Sequence, residues 1–257
     1  MNATAPIVTG VDGSASSQDA VRWAAAEAVL RRAPLLLVSM YATPASYGGY
    51  AAVPPSYFVE LESEGKRVLA AAETLAAEVV GGSAAVPIST ELVEEAPIFH
   101  LLEQSRTAAM IVLGSRGLGE FTGGILGSVS TAVGTHASCP VAVIRGLPAQ
   151  GELSLDGPVL VGVDGSPHSE PAIGVAFEEA SLRGAELVAV HAWSDFNLAT
   201  AFARRADDMK AEWSSVEAGE RAVLSESLAG WSEQYPDVSV RPVVVRDRPV
   251  RHLVQQS

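Results

Sequence analysis

The chain has 257 residues, of which 48% are hydrophobic and 18% are charged, so it can bury a sizeable core and is not expected to be disordered. Its 17 basic residues stand against 30 acidic ones, a formal net charge of −13, which disfavours nucleic acids and anionic membranes as partners. A single cysteine, Cys139, excludes an intrachain disulfide and a multi-cysteine metal site.

The first predicted element is a short apolar strand over Pro6–Val11, rich in Val and Ile. An Asp-Gly-Ser turn follows, and an alanine-rich helix is predicted over Ser16–Arg32 with a serine available as N-cap. A second buried strand, Leu35–Tyr41, leads into a loop over Ala42–Pro55 that is heavy in Gly, Pro and Tyr.

Six further elements are predicted before residue 146. They are a helix over Ser56–Val80, a strand over Val86–Val93, a helix over Ala96–Ser105, a strand over Ala109–Leu113, a helix from Ser128 to about His136, and a strand over Val141–Ile144. Strands that alternate with helices predict a parallel sheet with helices on both faces, and right-handed crossovers would make it doubly wound.

The chain then repeats itself. Ile7–Ser14 reads IVTGVDGS and Val159–Ser166 reads VLVGVDGS, an offset of 152 residues (166 − 14). The same offset pairs further identical residues, among them Glu27 with Glu179, Pro97 with Pro249, and His100 with His252. We predict two tandem copies of one domain, with residues 1–146 as the first, 147–157 as a linker and 158–257 as the second.

Neither copy contains a targeting or membrane signal. Met1–Pro6 lacks the basic region and long apolar core of a signal peptide. No stretch approaches the roughly 20 apolar residues that a membrane-spanning helix needs. We therefore expect a cytoplasmic protein.

The segment Gly114–Thr131 follows a predicted buried strand directly and is rich in glycine. Glycines let backbone N–H groups approach phosphate oxygens without obstruction from a Cβ atom. A helix that starts at Ser128 would add unpaired N–H groups and the positive end of its dipole. Ser128 and Ser130 offer hydroxyl donors, and Arg116 offers a positive charge. A phosphate-binding loop is favoured, and a glycine-rich turn that binds nothing stays open as the alternative.

Asp12 directly follows the first predicted strand. In open α/β sheets, ligands bind outside the carboxyl ends of the strands at the point where the strand order reverses, and strands one and four flank that point. Asp12 would then face Gly114–Gly117, where a carboxylate can orient a ribose, contact adenine or hold Mg²⁺. A turn-capping Asp is the alternative.

The loop does not have the composition of a fast phosphoryl-transfer site. It lacks the Gly-x4-Gly-Lys-Ser/Thr pattern of a P-loop, and no lysine lies near it. Fast transfer recruits Lys or Arg together with metal-bound carboxylates, whereas this loop offers Arg116 and Glu120. We predict no catalytic residue and at most slow hydrolysis.

The spacing Gly114-x2-Gly117-x9-Gly127-Ser128 resembles the ATP-binding motif of the universal stress protein family. The segments Gly10–Ser14 and His136–Val141 also resemble that family, and the duplication is similar to its tandem actinobacterial members. The resemblance covers nearly the whole chain. It implies two tandem doubly wound parallel-sheet domains of the α/β class with strand order 3-2-1-4-5, ATP as ligand, and dimer-like pairing through the fifth strand. It further implies a role in stress response and growth regulation, with a regulatory partner that the sequence does not identify.

The resemblance also implies a nucleotide site in the first copy. Asp12 would contact the nucleoside and is the candidate ligand for Mg²⁺, and Met40 would lie against adenine through its backbone. The expected binding residues are Gly10, Val11, Asp12, Gly13, Met40, Gly114, Ser115, Arg116, Gly117, Leu118, Gly119, Glu120, Gly127, Ser128, Val129 and Ser130.

The second copy departs from the family pattern. It reaches Ser257, the equivalent of Ser105, before a fourth strand, a glycine loop and a fifth strand would follow, so we expect its sheet to be incomplete. Gly162, Asp164 and Ala192 match the nucleoside side of the site without a phosphate loop. We therefore expect one complete ATP site, in the first copy.

Two other functions stay open at this stage. An interaction module that works without nucleotide would suit the expected incomplete second copy and the acidic composition. A weak ATPase or a nucleotidyl-transfer relative would suit the sheet type, although Gly10–Ser14 lacks the catalytic His, Lys or Ser-Gly-Gly signature common in such enzymes.

Overall fold

The structure is a computed structural model that describes residues 5–42, 54–81, 86–117, 126–146, 157–193, 206–246 and 248–256, with only the backbone described at residues 55 and 206–215. The chain divides into two compact units, Met1–Leu153 and Ser154–Ser257. Among the described residues, no helix is both long and apolar enough to cross a membrane.

The first unit alternates strands and helices throughout. Its elements are β1 (Ile7–Gly10), α1 (Ala15–Arg31), β2 (Leu35–Tyr41), α2 (Pro55–Val80), β3 (Ile88–Glu94), α3 (Pro97–Gln104), β4 (Met110–Gly114), α4 (Ser128–His136) and β5 (Val141–Ile144). The strands form a parallel sheet of order β3-β2-β1-β4-β5. The predicted fold class and the strand order 3-2-1-4-5 are confirmed. Most of the loop predicted over Ala42–Pro55 lies outside the described residues.

Helix α1 begins at a serine cap and lies close to the sheet. The Ser14 side chain accepts a hydrogen bond from the backbone N–H of Ser17 at 3.1 Å, which satisfies one unpaired donor of the first turn. Ala20, Ala24 and Ala28, spaced four residues apart, are fully buried on the face toward the sheet. Alanine at these positions lets the helix backbone approach β1 closely.

The sheet has an apolar core on each face. Ile7 and Val11 on one side of β1 pack with α1 and α2, and Val8 on the other side packs with Leu101 of α3 and Ile111 of β4. Burial on both faces explains why the inner strands β1, β2 and β4 are nearly continuous apolar runs, whereas the edge strand β3 includes exposed polar residues.

Thr9 is a polar exception in the first core. Its side chain is fully buried, and its hydroxyl oxygen has no hydrogen-bond partner among the described residues. Val161, 152 residues later (161 − 9), holds the corresponding buried position in the second unit.

We expect Thr9→Val to raise the free energy of unfolding by about 1 kcal/mol, because it removes a buried hydroxyl without a partner at nearly constant volume. Urea denaturation measures the change. The reciprocal control, Val161→Thr, is expected to lower the free energy of unfolding. A loss of stability in Thr9→Val would mean that the hydroxyl is hydrogen-bonded.

The second unit has the same order of elements. They are β6 (Val159–Val163), α5 (Glu170–Arg183), β7 (Leu187–Trp193), α6 (Ala206–Gln234), β8 (Val240–Arg246) and α7 (Pro249–Gln256). The described residues form a parallel three-stranded sheet of order β6-β7-β8. Helices α5 and α6 pack together through aromatic rings, with Phe177 and Trp231 stacked at 6.4 Å between centroids.

Candidate functional site

The two halves of the predicted site meet at the carboxyl edge of the first sheet. Strands β1 and β4 pair directly, so Asp12 and the segment after Gly114 emerge side by side. Asp12 Oδ1 accepts the backbone N–H of Ser14 at 2.9 Å in an Asx turn. A Cβ atom built on Gly117 would lie 2.6 Å from Asp12 Oδ2. Asp12 and Gly117 are therefore in contact, as the sequence predicts.

Gly114 is equally close to the turn that follows β1. A Cβ atom at this position would lie 2.6 Å from Ser16 Oγ and 2.7 Å from the backbone carbonyl of Ser16. No real Cβ atom approaches backbone so closely, so only glycine allows the end of β4 to lie against α1.

The N-terminus of α4 lies beside the start of the loop. The predicted binding residues Leu118, Gly119 and Glu120 lie outside the described residues, as does the whole of 118–125. The chain is described again from Leu126, and the N–H of Gly127 donates to Ser115 O at 2.8 Å. Gly127 is the N-cap of α4. The N–H groups of the first turn, Ser128–Ser130, lack intrahelical acceptors, and the positive end of the helix dipole points toward the loop.

Two serines at the predicted phosphate side are largely buried. Ser130 is 6% exposed and its hydroxyl donates to Gly114 O at 2.7 Å. The hydroxyl donor expected at Ser130 is thus already used within the protein, and the backbone N–H is what this residue offers to a phosphate. Ser115 is 5% exposed, and its N–H donates to Ile144 O at 2.8 Å, which ties the loop to β5.

The predicted nucleoside residues line the end of β1 and β2. Gly10 lies beside Met40, whose methyl carbon would be 3.7 Å from a Cβ atom on Gly10. The Val11 side chain is buried in the core on the α1 and α2 side, so its backbone is what faces the edge. Gly13 adopts a φ of +84°, a conformation that favours glycine, and closes the turn after Asp12.

Two residues that the sequence analysis does not assign also touch the loop. The N–H of Arg116 donates to Ser16 Oγ at 3.3 Å, and Ser14 Oγ donates to Arg116 O at 3.5 Å. The available signal was the serine-rich run from Ser14 to Ser17, which suggests only a helix cap.

The predicted residues of the second unit also come together. A groove of about 290 Å³ at the carboxyl ends of β6 and β7 is lined by Gly162, Asp164 and Ala192, together with His168 and Leu253. Hydrogen bonds from the backbone N–H and the side chain of Ser166 hold the pKa of Asp164 below its usual value, so this carboxylate is ionised at neutral pH.

Metal ligands and reactive groups are sparse in the described part of the chain. It contains no group of three or more His, Cys, Asp or Glu side chains that could hold a metal ion. Cys139 is a free thiol, and burial raises its pKa, which disfavours the reactive thiolate. Mg²⁺ at Asp12 stays a prediction.

Comparison with known proteins supplies the family. The model of the universal stress protein family matches residues 4–145 and again 157–257. A universal stress protein of Mycobacterium tuberculosis is 43% identical over 251 residues, covering 98% of this chain and 83% of the relative. The crystal structure of a universal stress protein from Archaeoglobus fulgidus, at 18% identity, covers 97% of this chain and 81% of its own with a TM-score of 0.62.

A second universal stress protein structure from Archaeoglobus fulgidus was solved in complex with dAMP. It covers 55% of this chain and 98% of its own at 25% identity, with a TM-score of 0.41.

The two matches to the family model and the relative at 43% identity are sufficient to assign the chain to a family. The chain belongs to the universal stress protein family.

Proposed function

We propose that the first unit binds ATP between the ends of β1 and β4, and that the protein acts through this binding as a cytoplasmic regulator in stress response and growth. The contact between Gly117 and Asp12 supports the proposal most directly, because a phosphate-binding role for Gly117 and a ribose-binding role for Asp12 both require the two residues to be adjacent. The N-terminus of α4 beside Ser115 adds backbone donors at the same edge.

Each group has a distinct role in the proposed complex. The Asp12 carboxylate accepts a hydrogen bond from a ribose hydroxyl. The N–H groups of Gly117 and of Ser128–Ser130 donate to phosphate oxygens, and the Arg116 guanidinium balances part of their charge. Such local donors are needed because the protein as a whole carries a net charge of −13 and repels anions. Mg²⁺ would arrive with the phosphates and neutralise them further.

The proposed activity is ATP binding without efficient hydrolysis. Lysine occurs only at positions 66 and 210, so Arg116 is the single basic residue of Gly114–Thr131, fewer cations than fast phosphoryl transfer recruits. We therefore propose that the protein responds to whether ATP is bound and does not hydrolyse it rapidly.

Isothermal titration with ATP and Mg²⁺ tests the proposal on the full chain. We expect one site per chain and an affinity about tenfold weaker in Asp12→Asn, because a neutral amide oxygen replaces the charged acceptor of the ribose hydroxyl. The matched control is Asp164→Asn, since Asp164 makes the same 2.9 Å turn bond, to Ser166, in the second unit. This control is expected to leave the affinity unchanged. Absence of binding to the wild-type chain would contradict the proposal and favour an interaction module that works without nucleotide.

We also propose that two copies pair through β5. This strand is at the edge of the five-stranded sheet, and Val141–Val143 are only half-buried within one copy. An edge strand presents backbone groups that another strand can pair with. A monomer in sedimentation velocity at micromolar concentration would contradict this pairing.

A further inference from the structure

We infer that Ser16, together with Ser14, is a positioning residue that holds the start of the phosphate loop in its binding conformation. The inference rests on the ATP site proposed above and adds the two serines to it. Neither serine needs to touch the nucleotide. They act on the Arg116 peptide, which precedes the loop donor Gly117.

The two serines bind both backbone polar groups of Arg116. The N–H of Arg116 donates to Ser16 Oγ at 3.3 Å, and Ser14 Oγ donates its proton to Arg116 O at 3.5 Å. Ser14 Oγ still accepts from the N–H of Ser17 at 3.1 Å, so its hydroxyl serves as donor and acceptor at once. With its N–H and C=O both bound to the turn after β1, Arg116 has a defined backbone orientation.

Close packing on either side of Arg116 holds this stretch of backbone in the same position. The residue two before it, Gly114, lies against Ser16, and the residue after it, Gly117, lies against Asp12; a Cβ atom on either glycine would come within 2.6 Å of the neighbouring side chain. The two hydrogen bonds are long and solvent-exposed, so each adds little to stability. Their effect is to preorganise the loop, which reduces the ordering cost of binding.

The second unit shows that Ser16 is not required for the turn itself. Asp164 accepts the N–H of Ser166 at 2.9 Å, and Ser169 Oγ donates to Ser166 O at 2.9 Å, as Ser17 Oγ does to Ser14 O in the first unit. The position of Ser16 is occupied by His168, 152 residues later (168 − 16). The Asx turn therefore forms with an exposed histidine at this position, although the helix that follows begins at Glu170, three positions later in the shared register than α1 does. What Ser16 adds is its contact with the loop.

Titration of the full chain with ATP and with adenosine tests the inference. We expect Ser16→Ala to weaken ATP binding about three- to tenfold, because the start of the loop must then be ordered on binding, and to leave adenosine binding unchanged. The two ligands are expected to differ because adenosine has no phosphates and does not contact the phosphate loop. The midpoint of urea unfolding is expected to stay at its wild-type value. His168→Ala is the matched control and is expected to change neither affinity.

Three other results would each contradict either this inference or the proposed function. Equal weakening of ATP and adenosine binding would show that Ser16 acts through the Asp12 turn and would overturn the inference. Unchanged ATP binding in Ser16→Ala, with the wild-type chain binding ATP, would overturn it as well and leave the proposed function standing. A wild-type chain that does not bind ATP would overturn the proposed function and this inference together.

Discussion

Gly117→Ala is expected to weaken ATP binding by about ten- to a hundredfold without unfolding the first unit. The added Cβ atom would lie 2.6 Å from Asp12 Oδ2, well inside van der Waals contact. Relief requires either that the loop moves off the turn or that Asp12 releases the Ser14 N–H, which it accepts at 2.9 Å. Either movement separates the ribose carboxylate from the phosphate donors. Overpacking of this kind costs about 1–3 kcal/mol, and each 1.4 kcal/mol is a factor of ten in affinity.

Titration calorimetry on the full chain measures this loss. Gly134→Ala is the matched control, because Gly134 lies in α4 and a Cβ atom there would meet nothing within 4 Å. This control changes glycine to alanine in a helix that begins at the site, and its affinity is expected to equal that of the wild-type chain. Wild-type affinity in Gly117→Ala would contradict the assignment of Gly117 and Asp12 to one site.

The sheet was predictable because its chemistry is local. Strands buried on both faces are short apolar runs, and helix α1 carries a serine cap and an alanine face, so these elements have their own signals in the sequence. The bounds differ slightly. The strand predicted over Pro6–Val11 spans Ile7–Gly10, although the N–H of Val11 still donates to Val38 O at 2.8 Å, so the chain leaves the ladder gradually.

The contacts within the site were less predictable because they join distant residues. Ser16 and Arg116 are 100 positions apart, and they meet only because β1 and β4 are neighbours in a particular register. Gly114 illustrates the difference. The glycine-rich pattern predicts that Gly114 allows the approach of a phosphate, whereas in the structure the space of its missing side chain is taken by Ser16. Ser130 was likewise predicted as a hydroxyl donor to ligand, and its hydroxyl instead donates to Gly114 O.

Gly174→Ala is expected to destabilise the second unit by about 1–3 kcal/mol. Gly174 lies in α5 beneath Trp231 of α6, and a Cβ atom there would come 2.6 Å from Cη2 of the indole ring. The ring cannot easily retreat, because it is stacked against Phe177 and Tyr235, each at 6.4 Å between centroids. Helix propensity acts in the opposite direction, since alanine inside a helix is favoured over glycine by about 0.5–1 kcal/mol. Packing is expected to outweigh propensity here.

The sign of the change therefore reports how tightly α5 and α6 are packed. Gly219→Ala is the matched control, because this glycine lies in α6 and its added Cβ atom would meet nothing within 4 Å. Only helix propensity acts there, and the free energy of unfolding is expected to rise by about 0.5–1 kcal/mol. Urea denaturation followed by tryptophan fluorescence compares the two variants. Stabilisation by Gly174→Ala, of the size seen in Gly219→Ala, would mean that Trp231 moves aside freely and that its stacking on Phe177 and Tyr235 does not fix the helix pair.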